Sequence, residues 1–205
     1  KKIIQIKIKW YNYAMKRILG KPNETNSKLI SLIQRTKIND FYLKNRKDFR
    51  DRILSSIDPQ DDVLDIGMAM RDKHKKIISK SLETLDVNDF GSYPDIVCDI
   101  CSDLTALQSK YDKIVCIAIL EHVYDPFKAV SNLKMMLKSG GKIFGYVPYL
   151  YHYHAPQDLK FQDYFRFSKD ALAYLFKDFS EVELYPIRGR VSSSFHMMFA
   201  GRWKN

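Results

Sequence analysis

The sequence predicts an α/β protein with a mostly parallel sheet and helices on both faces. Three observations lead there. Short apolar runs alternate with helical patterns from residue 61 onward, a glycine closes the first run, and an acidic residue closes the second about 20 positions later.

Residues 1–58 read as a helical N-terminal cover. Trp10 to Leu19 has helical spacing, GKPNETNS reads as a turn, and Leu29, Leu32, Ile33, Ile53, Leu54 and Ile57 fall at helix-like intervals before Asp58-Pro59 ends the region. The core, 60–205, completes a single domain. DDVLDIG (61–67) is a buried-strand pattern ending in Gly, and RDKHKKIISKSL is a helix candidate. LETLDV (82–87), PDIVCDI (94–100) and YDKIVCIAIL (111–120) are the next strands. DPFKAVSNLKMMLKSGG (125–141) has Pro near its first turn and Gly at its end, as a helix should. GKIFGYVP (141–148) is a fifth strand, and SKDALAYLFKDF (168–179) a helix opened by a Ser cap. VELYPIRGRVSSSFHMMFAGRW reads as two strands joined near Arg188-Gly189-Arg190, an antiparallel addition at one edge. That makes seven strands.

Composition narrows the classes. Hydrophobic residues at 45% and charged residues at 28% describe a globular chain, not a disordered one. No apolar run approaches the roughly 20 residues of a membrane span. KKIIQIKIKW lacks the apolar core of a signal peptide. The segment KIIQIKIKWYNYAMKRIL could lie on an anionic membrane, and the reading as a cover is preferred. Three cysteines, Cys98, Cys101 and Cys116, fit a reducing compartment, so the expected location is cytoplasmic and their role structural. A net charge of +10 favours acidic partners: phosphorylated small molecules, anionic lipid or nucleic acid.

In a parallel sheet, ligands bind beyond the carboxyl ends of the strands, which here carry Gly67, Asp86 and Ala118 to Glu121. Asp65, Gly67 and Asp86 have the spacing of a glycine turn followed by a carboxylate that accepts from ribose hydroxyls. The loop DIGMAMRD has one glycine where dinucleotide loops have three, which favours an adenosyl ligand without pyrophosphate. After the fifth strand, PYLYHYHAPQDLKFQDYFRF gathers His152 and His154 as candidate bases. Asp158, Asp163 and Arg166 are there to orient substrate, and Tyr149, Tyr151 and Tyr153 to stack on a ring. His122 in LEHV either touches substrate or caps the helix near Asp125. His-x-His with a carboxylate is a weaker metal pattern, and no metal is assigned.

VLDIG, LDVND, PDIVCDI, the run from YDKIVCIAILEHV through SGGKIFGYVP, and H-x-P-x-D (154–158) before DYFRFSKDAL resemble class I S-adenosylmethionine-dependent methyltransferases of the small type 11 group. The resemblance covers about residues 60–180. It implies a Rossmann-like sheet of seven strands, the last antiparallel, with S-adenosylmethionine as cofactor. By position, Asp65, Gly67 and Met68 would form the cofactor loop and Asp86 would hold the ribose. Asp99 and Ile100 would border the adenine, and Ala118 would lie near the methionine portion. The sequence departs from the group at Met68-Ala69-Met70, where further glycines are usual. His154, His152 and His122 would then be catalytic, and Tyr149, Tyr151, Asp163 and Arg166 would bind substrate. The expected acceptor is a small molecule or glycan-linked group, with a mild lean towards sugar or polysaccharide chemistry. Two other readings stand beside it. A nucleic-acid methyltransferase would use the charge, against the missing Asn/Asp-Pro-Pro-aromatic motif; a non-catalytic binding module would explain the glycine-poor loop.

Overall fold

The computed structural model describes residues 49–202 apart from 69, 150, 156 and 189–194. Most of the expected N-terminal cover, and the turn at Gly189-Arg190, lie outside these residues. Helix α1 covers 49–56. The strands are β1 (Asp62–Ile66), β2 (Ser81–Asp86), β3 (Ile96–Val97), β4 (Tyr111–Ile117), β5 (Leu137–Pro148), β6 (Glu181–Arg188) and β7 (Phe195–Arg202). Helix α2 is Pro126–Met136 and α3 is Lys169–Leu175.

The sheet runs β3-β2-β1-β4-β5-β7-β6. β1 pairs in parallel with β2 and β4, β2 with β3, and β4 with β5, giving the expected parallel core. β7 is antiparallel to both β5 and β6. The chain order reverses between β1 and β4, which opens a crevice at their carboxyl ends.

Alternation along the strands builds two cores. Leu64, Ile66, Ile114 and Cys116 face a cluster completed by Ala129, Leu133 and Met136 of α2 and by Leu172 and Leu175 of α3. Val115, Ile117, Phe144 and Tyr146 face the other way, onto Phe49 and Ile53 of α1. Each helix is sited by its caps. The Asp125 side chain accepts from Lys128 N at 3.0 Å and Pro126 takes the first turn, so His122 does not cap α2. Ser168 caps α3 through Ala171 N, as expected.

Two helices fall short of their sequence patterns. Residues 71–82 were expected to be helical, yet only a 3-10 turn forms at Arg71–Lys76. The segment has no apolar residue before Ile77, and His74 is drawn to Asp65 instead. Helix α2 stops at Met136, not near Gly141. Ser109 N and Lys110 N donate to the Met135 and Met136 carbonyls at 2.9 Å each, and Leu137 is already extended opposite Tyr111.

The amino ends of the strands are tied by charge. Lys138 Nζ lies 2.6 Å from Asp62 and 2.7 Å from Asp112, and Lys80 lies 3.1 Å from Asp62. Lys138 above all, with Ser81 and Lys80, holds the Asp62 carboxyl well below the usual carboxylate range. A carboxyl depressed in the folded state contributes fully above its unfolded value, near 3.9, and loses that contribution as pH falls towards the folded value. Asp62→Asn is therefore expected to flatten the acid limb of the unfolding midpoint below about pH 4, measured by thermal melts from pH 7 downward. Parallel acid limbs in both proteins would remove the cluster from the acid response.

Candidate active site

A cavity of about 450 Å³ opens at the carboxyl ends of β1, β2 and β4. It lies within the roughly 300–1,000 Å³ of small-molecule sites. Of the residues expected to bind a cofactor, Gly67, Asp86, Asp99, Ile100 and Ala118 line it.

Gly67 has φ +66° and donates its N–H to Leu85 O at 2.9 Å, extending the β1–β2 pairing into the turn. A Cβ there would come within 2.4 Å of Ile119 Cδ1. Both conformation and space require glycine. Met68 follows with φ +46° and is 38% exposed, outside the cavity lining. Asp65 is fully buried behind the loop. Its carboxylate meets His74 Nδ1 at 2.9 Å and Met70 N at 3.4 Å, so it shapes the turn from below and has no place in the cavity.

Asp86 closes β2 with its carboxylate on the cavity. One oxygen accepts from Asn88 N at 2.9 Å, and the other from the Tyr93 hydroxyl at 3.4 Å. Burial and the Asp86 charge push Tyr93 far up, so it stays a donor. Asp99 and Ile100 sit on a tight turn after β3. Asp99 Oδ1 accepts from Cys101 N at 2.8 Å, and buried Asn132 of α2 donates to the Ile100 and Ser102 carbonyls at 2.7 and 2.8 Å. The packed helix thus fixes that rim of the cavity. Cys101 and Cys116 are buried, and all three cysteines are free thiols.

The other end of the cavity is polar. Glu121 and His122 stand on a 3-10 turn after β4, and His154 reaches in from the segment following β5. Glu121 is fully buried, and neither carboxylate oxygen has a hydrogen-bond partner. Burial, with a smaller push from Asp163, raises its carboxyl to about 8. His122 Nδ1 lies 2.7 Å from Gln162 O, and its ring packs on His154 and Phe161 with centroids 4.6 and 4.7 Å away. Burial lowers the His122 imidazole below its usual value. His154 Nδ1 is 3.1 Å from both Asp163 Oδ2 and His152 O.

The rest of the segment acts as support. Asp163 is 1% exposed and is gripped by both guanidinium nitrogens of Arg166, Nη2 at 2.6 Å, while it accepts the His154 N–H at 3.1 Å. Arg166 above all holds the Asp163 carboxyl down at about 2. Asp163 and Arg166, expected on substrate, lie behind His154 and fix its position. His152 is exposed, stacks on Tyr151 at 4.3 Å, and lies outside the cavity lining, as does Tyr149. Tyr151 does line the cavity. Lys160, Phe161 and Gln162 line it too, residues for which the sequence offered no periodicity or motif.

Residues 63–145 match the family model of the methyltransferase domain, Methyltransf_11. Over these residues the chain is similar to the type 11 class I S-adenosylmethionine-dependent methyltransferases. No curated protein matches it. Among solved structures, a methyltransferase of Methanosarcina mazei is 14% identical, with a TM-score of 0.54 over 75% of this chain and 97% of the other. The 1,6-didemethyltoxoflavin-N1-methyltransferase of Burkholderia thailandensis, solved with bound 1,6-didemethyltoxoflavin and S-adenosylhomocysteine, is 13% identical, with a TM-score of 0.55 over 87% of this chain and 90% of the other. The N-methyltransferase NodS of Bradyrhizobium japonicum, solved with S-adenosylhomocysteine, is 19% identical, with a TM-score of 0.55 over 78% and 87%. At these identities the likeness is one of fold. Among the described residues, no helix is long and apolar enough to cross a membrane.

Proposed function

We propose that this methyltransferase carries the methyl group of S-adenosylmethionine to a small-molecule or glycan-linked acceptor seated against Glu121, His122 and His154. The observation that carries the reading is the two-ended cavity. Asp86, Asp99 and Ile100 border one end, Glu121 and the imidazoles form the other, and Gly67 and Ala118 both line the space.

The residues fit the cofactor. Asp86 presents a fixed carboxylate suited to ribose hydroxyls, the Asp99–Ile100 turn offers an edge for adenine, and Gly67 leaves its turn without a side chain. When bound, the cofactor supplies a methyl group already activated on a sulfonium. The chain's task is to align the acceptor and accept its proton. Glu121, His122 and His154 would face the acceptor as its proton leaves at the polar end of the cavity. Support for a small acceptor comes from the cavity's size and from the small molecule held by the Burkholderia enzyme.

Calorimetry with S-adenosylhomocysteine tests the reading. Asp86→Ala is expected to weaken binding by about 1.5–3 kcal/mol, or roughly 10–150-fold, because charge-assisted bonds to two hydroxyls are lost. Because Asp86 also accepts from Asn88, thermal melts must show the variant folded. Absence of binding heat from the wild type at millimolar ligand would replace this reading with that of a non-catalytic module.

A further inference from the structure

Glu121 is an unusual residue for the floor of a cavity. Both its oxygens are buried without a hydrogen-bond partner, a costly state for a group able to ionise. Beside it stand two imidazoles. One donor atom from each of Glu121, His122 and His154 lies within 4.8 Å of the others, the single such group of three among the described residues. We propose that these three side chains form a divalent-cation site, although the sequence alone assigned no metal.

The surroundings of the imidazoles carry the argument further. His122 Nδ1 lies against the Gln162 carbonyl, and His154 Nδ1 against the Asp163 carboxylate and the His152 carbonyl. Those neighbours only accept, so each Nδ1 is the donor and each Nε2 is the nitrogen left to meet a cation. Metal-binding histidines are held in this manner, with the second nitrogen donating to a carbonyl or carboxylate. Asp163, in turn fixed by Arg166, supplies the carboxylate. His122 Nε2 is 3.9 Å from Glu121 Oε1. Metal bonds of about 2.0–2.2 Å place tetrahedral donors roughly 3.3–3.5 Å apart, so a small side-chain rotation closes the set.

Two imidazoles and one carboxylate suit zinc and its first-row neighbours, with positions left for outside ligands. All three residues line the cavity, so those positions face the space assigned to the acceptor. The cation's role there rests on the methyl-transfer reading. It would hold an acceptor hydroxyl and lower its pKa. The proton then passes to water and the oxygen remains as nucleophile, with His122 and His154 serving as ligands, not bases.

The test uses the full chain, free of any tag and stripped of metal by chelator, titrated with Zn²⁺ by calorimetry and with Co²⁺ by visible absorption. Wild type should bind one equivalent. Glu121→Gln, which keeps shape and removes charge, and His122→Ala should each weaken Zn²⁺ binding by about 100-fold or more. His152→Ala, altering an exposed imidazole outside the cavity, should leave it unchanged. S-adenosylhomocysteine is titrated in parallel. Absence of stoichiometric Zn²⁺ binding in the wild type, or unchanged affinity in folded Glu121→Gln, overturns the cation site whatever the cofactor result. A wild type that binds Zn²⁺ but not S-adenosylhomocysteine supports the cation site and refutes the methyl-transfer reading.

Discussion

His154→Ala is expected to lower turnover by about 10²–10⁴-fold while affinity for S-adenosylhomocysteine stays within a factor of two or so. His154 is the imidazole of the post-β5 segment that reaches the cavity, and its backbone N–H and Nδ1 are both engaged by Asp163. Removing the ring takes away a group that faces the acceptor at the polar end of the cavity. The residues assigned to the cofactor stand on other elements, at the ends of β1, β2, β3 and β4. Binding and turnover should therefore separate. His152→Ala is the matched control, because that ring is exposed and stacked on Tyr151. Equal losses from both variants would mean that the segment as a whole, not His154, matters.

The second large effect is expected at the first turn. Gly67→Val should abolish measurable binding of S-adenosylhomocysteine. At φ +66° a β-branched residue is a steric outlier, and left-handed backbone costs L-residues roughly 1–2 kcal/mol. The new Cβ would also sit 2.4 Å from Ile119 Cδ1, so Ile119, itself part of the cavity wall, must move. Gly67→Ala shares the backbone strain with less bulk, and comparison of the two separates conformation from crowding. Thermal melts establish that both variants fold. Binding by folded Gly67→Val within tenfold of wild type would show that the cofactor does not pass over this turn.

The parallel core was legible because each strand is an apolar run closed by a turn residue, and the carboxyl ends then follow from topology. Gly67, Asp86, Asp99, Ile100 and Ala118 met at one cavity for that reason. Asp65 was harder. Its position at a strand end resembles that of a ligand-binding carboxylate, but its partner is His74, nine residues on, in a stretch whose charge pattern read as helix. His152 was grouped with His154 because they are close in the chain, yet the two part in space. Alternate residues share a face only in a regular strand, and residues 151–155 are not one. The grouping of Glu121 with His122 and His154 depends on a contact across more than thirty residues, which no local pattern encodes. Burial of an unpaired carboxylate becomes visible only in three dimensions.

The segment over the crevice is held unevenly. The Glu121 carbonyl accepts the N–H groups of both Tyr164 and Phe165, at 2.8 and 3.1 Å, whereas Asn88 Oδ1 accepts a single bond from Lys160 N at 2.8 Å. Asn88 also donates its side-chain N–H to Asp86 at 3.2 Å, so one residue joins the carboxylate at one end of the cavity to the segment that carries His154 at the other. The two ends of the crevice are thereby tied through a single side-chain amide.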